Sequence, residues 1–578
     1  MKIDLLSGSE ANTWISEQAN KEKWKNLYDR CQWGTVFQSE EFVLRWYDAY
    51  HDRYTPAIVV ATDADAELTG LLTLAVANDS GELTVAGGGQ AEYQTWLADA
   101  EDGNSFINAA LQNLSAHFLR STLRFLFVPP STPLEWLSNE PWAQRCELRH
   151  FPRPLMSTND ASVFNKSLRK KSNKSRLNRL ARSGEVRLER ITSPQDLEAI
   201  YDQAINYGGF RHAAIHDVPP RRDPLQKQFY LAMMAVPRLL HVTVLRVGDE
   251  IASSHIGMYN KDQVLLGMLA HSPSFARHSP SKLHVLMLGE ELAKEGITAF
   301  DLTPGGEYKD RFATHHDDTH VLTVFFDRTQ QFKYNVKQKL IAGAKYGLDV
   351  MKVTPEQAKN AAAQINHKWT HTKVRTLPPK VLKVARKRLW TTLEMRIYSY
   401  DVELARQLSV PQLMNRDCLR DVMAYQPAEA WQLRFSAFLN RVLTGLENGN
   451  HVYTHAEEGR LVHYGWLIER QQKSHLSEVG HDFYLPPESA VLADFYTHPA
   501  ARGKGLYQHS LRQMAHDASL IAGTKHIFIG VLADNIPSRH VIEKVGFDYR
   551  FSFFARTIGG KTKRWTNAPA EFTAPRNA

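Results

Sequence analysis

The sequence is poor in cysteine. Its three thiols, Cys31, Cys146 and Cys418, are odd in number and widely spaced in a chain of 578 residues, so they supply neither a disulfide framework nor a metal-ligand spacing. No segment offers the ~20 consecutive apolar residues that a membrane span requires. The opening MKIDLLSGSEANTW lacks the basic-then-apolar pattern of a leader. A reducing, cytoplasmic location is therefore expected. Charge of one sign is scarce too: 70 Lys and Arg stand against 62 Asp and Glu, and the net +8 fits an ordinary surface as well as an anionic partner. At 43% hydrophobic and 23% charged, the composition is that of a folded globular protein. The length exceeds what one core organises, which predicts several domains.

Apolar spacing predicts helix, turn and helix over 23–50, with Ser39 as an N-cap, then hairpin strands over 57–62 and 68–77. A helix over 106–119 and a strand over 123–129 complete an α/β unit expected to span 1–150. A second unit, 151–328, opens with a basic helix over 166–182 and continues through strands to a helix that starts at Ser279-Pro280-Ser281. From 329 to 396 Lys and Arg predominate around Pro378-Pro379, which suggests a basic helical linker. Helix and strand alternate again over 397–565, and 566–578 is expected to be a disordered tail. The predicted fold class is α/β, with three units of similar architecture and no repeat visible in the residues themselves.

The strongest chemical signal is near the C-terminus. ESAVLADFYTHPAARGKGLYQHSL reads as a strand, a turn at Arg502-Gly503-Lys504-Gly505 and a helix beginning near Leu506. Such a turn offers unpaired N–H groups and the positive end of a helix to an anion, and its glycines let a diphosphate approach the backbone. After the next strand comes Asp534-Asn535-Ile536-Pro537-Ser538, then a short helix ending in Glu543-Lys544-Val545-Gly546-Phe547.

Together these two segments resemble the acyl-CoA-binding core of GNAT acyltransferases. Arg502 and Gly505 match the family's phosphate-turn pattern, although Tyr507 stands where its last small residue usually is. The resemblance implies that Arg502, Gly503, Lys504 and Gly505 hold the pyrophosphate of acetyl-CoA, that Asn535 meets its pantetheine arm, that Ser538 also binds the cofactor, and that a substrate amine attacks the thioester directly. The family's usual tyrosine acid is replaced by Ile542, which leaves His540 or Tyr496 as proton donors. Asp494, on the strand entering the turn, is the expected general base. The plainer alternatives are a solvated strand-end carboxylate at 494 and a surface histidine at 540.

FQSEEFVLRWYDAY, GLLTLAV, GGGQAEYQTWL, the basic SLRKKSNK and Phe300-Asp301-Leu302-Thr303-Pro304-Gly305-Gly306-Glu307-Tyr308-Lys309 occur in an order that resembles the cellulose and exopolysaccharide biosynthesis acetyltransferases, a Fem-like double GNAT. That resemblance implies a tandem pair over about 25–330. Ser281 and Lys282 would be cofactor-binding residues opening a helix, with Ser281 replacing a glycine; Asp301 would be a base, and Tyr308 and Lys309 would contact substrate. A helix merely capped by serine and an Asx cap at Asp301 are the alternatives.

Cations surround the basic helix on all sides without interleaved aromatics, so nucleic acid is not the expected partner. Taken together, the resemblances imply acyl transfer from acetyl-CoA, without a metal, to an amino or hydroxyl group of a sugar, polysaccharide or cell-envelope precursor. An anionic glycan, a carrier-lipid phosphate or a CoA phosphate is the expected partner of the basic helix, and peripheral contact with an anionic membrane is a further expectation for the linker, with a plain domain-bridging helix as the alternative. The competing readings are a Fem-like aminoacyl-tRNA-dependent transferase and a partly inactive scaffold in a polysaccharide assembly complex.

Overall fold

The computed structural model describes residues 1–216, 223–336, 338, 390–429, 432–558 and 561–573. Cα proximity divides the chain into two compact units: Met1–Ile205 with Arg221–His271 and His278–Asn360, and Ala361–Ala578 with Asn206–Pro220 and Ser272–Arg277. Both are mixed α/β. No helix among the described residues is long and apolar enough to cross a membrane.

The first unit carries two sheets. The smaller joins β1 (Lys2–Ser7), β2 (Tyr54–Thr62), β3 (Leu68–Ala77), β4 (Leu83–Val85) and β5 (Leu97–Ala98). It packs with helices α1 (Ser9–Ser16), α2 (Gln18–Arg30), α3 (Glu40–Ala49) and α4 (Gly103–His117). The expected cap is present: Ser39 Oγ accepts from Phe42 N at 3.3 Å.

The larger sheet has the order β6-β13-β7-β12-β11-β10-β9-β8. Its strands are β6 (Thr122–Val128), β7 (Cys146–Ser157), β8 (Val186–Ile191), β9 (Leu240–Val247), β10 (Glu250–Asn260), β11 (Gln263–His271), β12 (Ala299–Asp301) and β13 (His315–Phe325). The boundary expected at 150 thus falls inside β7, and the strand assigned to the first unit, β6, belongs to this sheet. Pro152 and Pro154 interrupt the strand pattern of β7, and its partner β13 lies far downstream. Only tertiary pairing makes this strand.

Helices α5 (Ala161–Arg169), α6 (Lys171–Ala181), the first half of α7 (Pro194–His216), α8 (Pro224–Met234) and α9 (Pro280–Lys294) complete the described part of this unit, α7 from Asn206 onward being counted with the second. The basic helix expected over 166–182 is in fact two helices broken at Lys170, whose ψ is 138°. Buried Asn173 stabilises the break by donating to the Ser167 carbonyl at 2.8 Å.

In the second unit one sheet has the order β15-β16-β17-β20-β21-β14-β22-β23. Its strands are β14 (Trp390–Tyr400), β15 (Asn415–Arg416), β16 (His451–Glu457), β17 (Arg460–Ile468), β20 (Ser489–Thr497), β21 (His526–Leu532), β22 (Asp548–Ile558) and β23 (Lys561–Thr566). A separate hairpin, β18 (Lys473–Leu476) with β19 (His481–Tyr484), lies beside it in sequence. The helices are α10 (Val402–Arg406), α11 (Leu419–Val422), α12 (Phe435–Glu447), α13 (Leu506–Leu520) and α14 (Ile536–Val545).

Most of the expected linker, 339–389, lies outside the described residues, but its last part is not helical. Strand β14 begins at Trp390 and pairs on both sides, with β21 and β22, as its run of threonines and aromatics favours. The tail expected from 566 is also ordered up to 573: Phe572 packs 4.7 Å from the Phe551 ring, a contact that one aromatic in a polar segment does not announce. Residues 574–578 lie outside the described set.

Alternation along β17 and β20 separates two cores. On one face Leu492 and Ile529 meet Leu506, Leu511 and Met514 of α13 and Ile542 of α14. On the other, Tyr464, Trp466 and Tyr496 meet Phe438, Leu439 and Val442 of α12.

Candidate functional site

Strands β20 and β21 run parallel and pair from Ser489↔His526 to Leu492↔Ile529. β20 then continues to Thr497 without pairing with β21, so the two strands part after Leu492 and leave backbone groups of β20 open on that side. Just past the parting point the β17–β20 ladder slips: Tyr464 faces Tyr496 but Trp466 faces Ala493. Two steps on β17 oppose three on β20. The extra residue is accommodated by Asp494, which has φ 52°. A non-glycine residue with positive φ is strained, and such residues gather at functional sites.

Asp494 lines a cavity of about 410 Å³ between β17, β20 and the C-terminal half of α12. Its carboxylate lies 2.7 Å from the Arg441 guanidinium. Burial raises the Asp494 pKa, while Arg441 pulls it back down. Trp466 forms an apolar wall and can do so because residue 445 is glycine: a Cβ there would come within 2.4 Å of the indole ring.

Beyond Thr497 the chain makes the expected turn. Gly503 and Gly505 have φ 82° and 78°, a region that favours glycine, and Gly505 is the N-cap of α13. A Cβ at Gly503 would meet nothing within 4 Å, so the turn is open on that side and fits the approach of a diphosphate. The cations of the turn are engaged within the chain: Arg502 pairs with Glu429 at 3.1 Å and Lys504 with Glu457 at 2.8 Å. These are exposed pairs of the kind worth about 0–1 kcal/mol, and a bound polyphosphate can displace them.

Asn535 caps α14, its Oδ1 accepting from Ser538 N at 3.3 Å. Ser538 Oγ lies 2.9 Å from the Tyr507 hydroxyl, so the residue that replaces the usual small side chain ties α13 to α14. Burial pushes the Tyr507 phenol up to about 12. Of the two expected proton donors, His540 is exposed on α14 and Tyr496 packs against Tyr464 in the core with ring centroids 5.6 Å apart. Neither residue lines the Asp494 cavity. Arg441 and Trp466, which do, lie in segments without motif character; a helix and a strand had to be docked to reveal them.

The first unit repeats the plan. β11 and β12 are parallel, pairing Gln263↔Ala299 through Leu265↔Asp301, and α9 connects them. Pro280 begins α9 after Ser279, whose φ is 54°. Ser281 Oγ sits 2.8 Å from His271 Nδ1. The Lys282 ammonium is lowered by partial burial and by the positive charges of Arg176, Arg311 and Lys170. The basic segment thus brings part of its charge to the start of α9.

Asp301 has no exposed surface. It accepts from the Tyr93 hydroxyl at 2.8 and 3.0 Å, from Thr303 N at 2.8 Å and from Arg153 Nη1 at 3.2 Å. Every contact is internal, so Asp301 anchors a buried network and is not placed as an accessible base. Lys309 is likewise turned inward, donating to the Thr303 carbonyl and hydroxyl at 3.0 Å each, while Tyr308 is exposed. Among the described residues no group of three or more His, Cys, Asp or Glu side chains is placed to hold a metal ion.

Comparison with known proteins places family matches on both parallel-strand sites. Two acetyltransferase (GNAT) domain models match, one over residues 167–312 and the other over 405–548. No curated protein matches the chain in sequence. Among solved structures, FemX is similar at 9% identity and TM-score 0.40, covering 54% of this chain and 98% of that one. The C-terminal domain of a putative lysylphosphatidylglycerol synthetase from Agrobacterium fabrum is similar at 12% identity and TM-score 0.35, covering 56% and 95%. L-PGS from Bacillus licheniformis is similar at 11% identity and TM-score 0.37, covering 55% and 96%.

Proposed function

From the premise that the chain carries two acetyltransferase (GNAT) domains, we propose that it transfers an acyl group, acetyl first, from CoA to an amino or hydroxyl group of a sugar, polysaccharide or cell-envelope precursor, with the chemistry in the second unit. The observation that carries this reading is Asp494: a positive-φ carboxylate, its side chain about a third exposed, just past the parting of β20 and β21 and lining a cavity. Arg502, Gly503, Lys504 and Gly505 would hold the pyrophosphate of the donor, and the unpaired side of β20 would hold its pantetheine arm. Acyl-CoA, when bound, supplies the thioester whose C–S bond breaks as the N–C bond to the acceptor forms, its sulfur leaving with a proton from that nitrogen. Asp494 first takes a proton from the acceptor ammonium and afterwards returns it to water. Partial desolvation raises its pKa against the opposing pull of Arg441 and keeps it basic enough for that task. Thiol release from acetyl-CoA in the presence of amines tests the reading, with Asp494→Asn as the control that should lose it.

A second reading puts the donor in the first unit, with an aminoacyl-tRNA in place of CoA. The convergence of Lys170, Arg176 and Arg311 on Lys282 supports it. Binding of tRNA at two salt concentrations separates the readings, because affinity for a nucleic acid falls steeply with salt.

A further inference from the structure

We propose that the acceptor is a small zwitterion: a primary amine that carries a carboxylate or phosphate only a few bonds from its nitrogen. This inference rests on the acyl-transfer reading of the second unit and extends it to the choice of substrate.

The argument starts from the Arg441–Asp494 pair. The guanidinium and carboxylate are 2.7 Å apart and both face the cavity. The Arg441 side chain is 53% exposed, so solvent screens the pair and it contributes little to stability. What the pair does is hold two opposite charges side by side at the mouth of a cavity. An ammonium that enters to give its proton to Asp494 takes the carboxylate away from Arg441. An amine with a neutral body then leaves the guanidinium without its partner. An amine that also carries an oxyanion replaces both halves of the pair at once, and a fork-shaped guanidinium matches a carboxylate or phosphate with two parallel N–H donors.

The rest of the cavity agrees. Thr444, Asn448 and Asn450 contribute polar groups from α12 and the residues after it, and among the described residues the two asparagine amides have no side-chain hydrogen-bond partner. Asn448 follows the last turn of α12, where carbonyl groups favour a cation close by. Trp466, Ile468 and Ala493 form the cavity's apolar wall. Amides and a hydroxyl facing this apolar wall suit an amine with a short hydrocarbon body and polar ends.

The test uses the intact chain and two matched pairs of amines, ethylamine with β-alanine for the carboxylate arm and ethanolamine with O-phosphoethanolamine for the phosphate arm. Two readouts are taken: binding by NMR without acetyl-CoA, and thiol release with it. The anionic member of at least one pair is expected to bind and to turn over at least tenfold better than its neutral partner, and Arg441→Ala should remove that preference while leaving acetyl-CoA affinity unchanged. Whichever arm responds identifies the oxyanion. Equal turnover of anionic and neutral amines, or a preference that persists in Arg441→Ala, overturns the inference and leaves acyl transfer standing. Arg441-dependent binding of an anionic amine without thiol release overturns acyl transfer in this unit and leaves the zwitterion site standing. Neither binding nor release with any of the four overturns both.

Discussion

Asp494 in β20 and Gly267 in β11 occupy the same place in two different sheets. Each falls where the preceding hairpin strand spends two residues against three, and each has positive φ, 52° and 50° respectively. Each strand also runs parallel to the next strand across a crossover helix. The repeat is therefore one of backbone, with a glycine at the strained position in one copy and a carboxylate in the other. Glycine adopts such a backbone freely, and aspartate adopts it at a smaller cost than most side chains. The cost is retained in the second unit, where the carboxylate has a proton to take.

Substitutions at these two positions should accordingly behave differently. Asp494→Gly and Asp494→Ala both remove the carboxylate, and both should lower thiol release by about 10²-fold or more. Their stabilities should differ: the glycine variant should exceed the alanine variant by about 1 kcal/mol, the cost of holding an L-residue at positive φ. At Gly267 even alanine is excluded, because its Cβ would come within 2.4 Å of the Ile256 carbonyl oxygen. Denaturant midpoints of the three variants check the contrast.

The pH dependence of turnover follows from the same carboxylate. Burial holds Asp494 above the ordinary carboxylate range, and Arg441 opposes that shift. A base must be ionised, so kcat/KM should fall as pH drops through this raised value, at a higher pH than for an exposed aspartate. Without Arg441 the opposing influence is gone, and the acid limb of Arg441→Ala should move to higher pH. A limb that stays in place would mean that another group is the base.

At the phosphate turn, Arg502→Glu should weaken acetyl-CoA binding to the intact chain at least tenfold, which is about 1.4 kcal/mol. Gly503→Ala tests the backbone alone: the added methyl meets no atom within 4 Å, yet φ is 82°. Any loss there is conformational. Calorimetric titration of each variant reads both effects.

What the sequence reveals of this site depends on how local each part is. The turn at 502–505 and the capped helix after Asn535 are contiguous runs whose residue types dictate their backbone, so they can be read without a fold. The bulge at Asp494 depends on the register between β17 and β20, and its partner Arg441 reaches it only once α12 is docked on the sheet. Membership of β6 and β7 in the large sheet is hidden for the same reason, since β13 supplies their pairing from more than 150 residues away. Asp301 shows the converse: it ends an apolar strand before a glycine turn, a placement that suits a catalytic carboxylate, but Tyr93 and Arg153 arrive from distant segments and enclose it.

Acid should destabilise both units through histidines buried in neutral form. Burial lowers His284 in the first unit and His463 in the second from 6.5 to about 3. In that window the unfolded chain binds more protons than the folded one, so stability falls as pH drops below 6.5, by about 1.4 kcal/mol per pH unit for each such group. Denaturant midpoints at pH 7.5 and 5.0 should show the loss, and a flat profile would mean that these rings are hydrated.

The Asp301 network gives a last contrast, between a carboxylate that holds structure and one that does chemistry. Asp301→Ala leaves Arg153, itself nearly buried, facing an empty place beside Asp317, and removes the acceptor of the Tyr93 hydroxyl. Breaking a buried charged pair on one side typically costs about 3–5 kcal/mol. Asp301→Asn keeps the shape and an acceptor but not the charge, and should cost less than the alanine. If Asp301 were a base, the two variants would lose turnover equally whatever their stability. Because its contacts are internal, the expected result is that Asp301→Asn retains turnover at a temperature where it is folded, and that Asp301→Ala loses turnover only as it loses structure. Thermal midpoints and thiol release measured on the same preparations decide between the two.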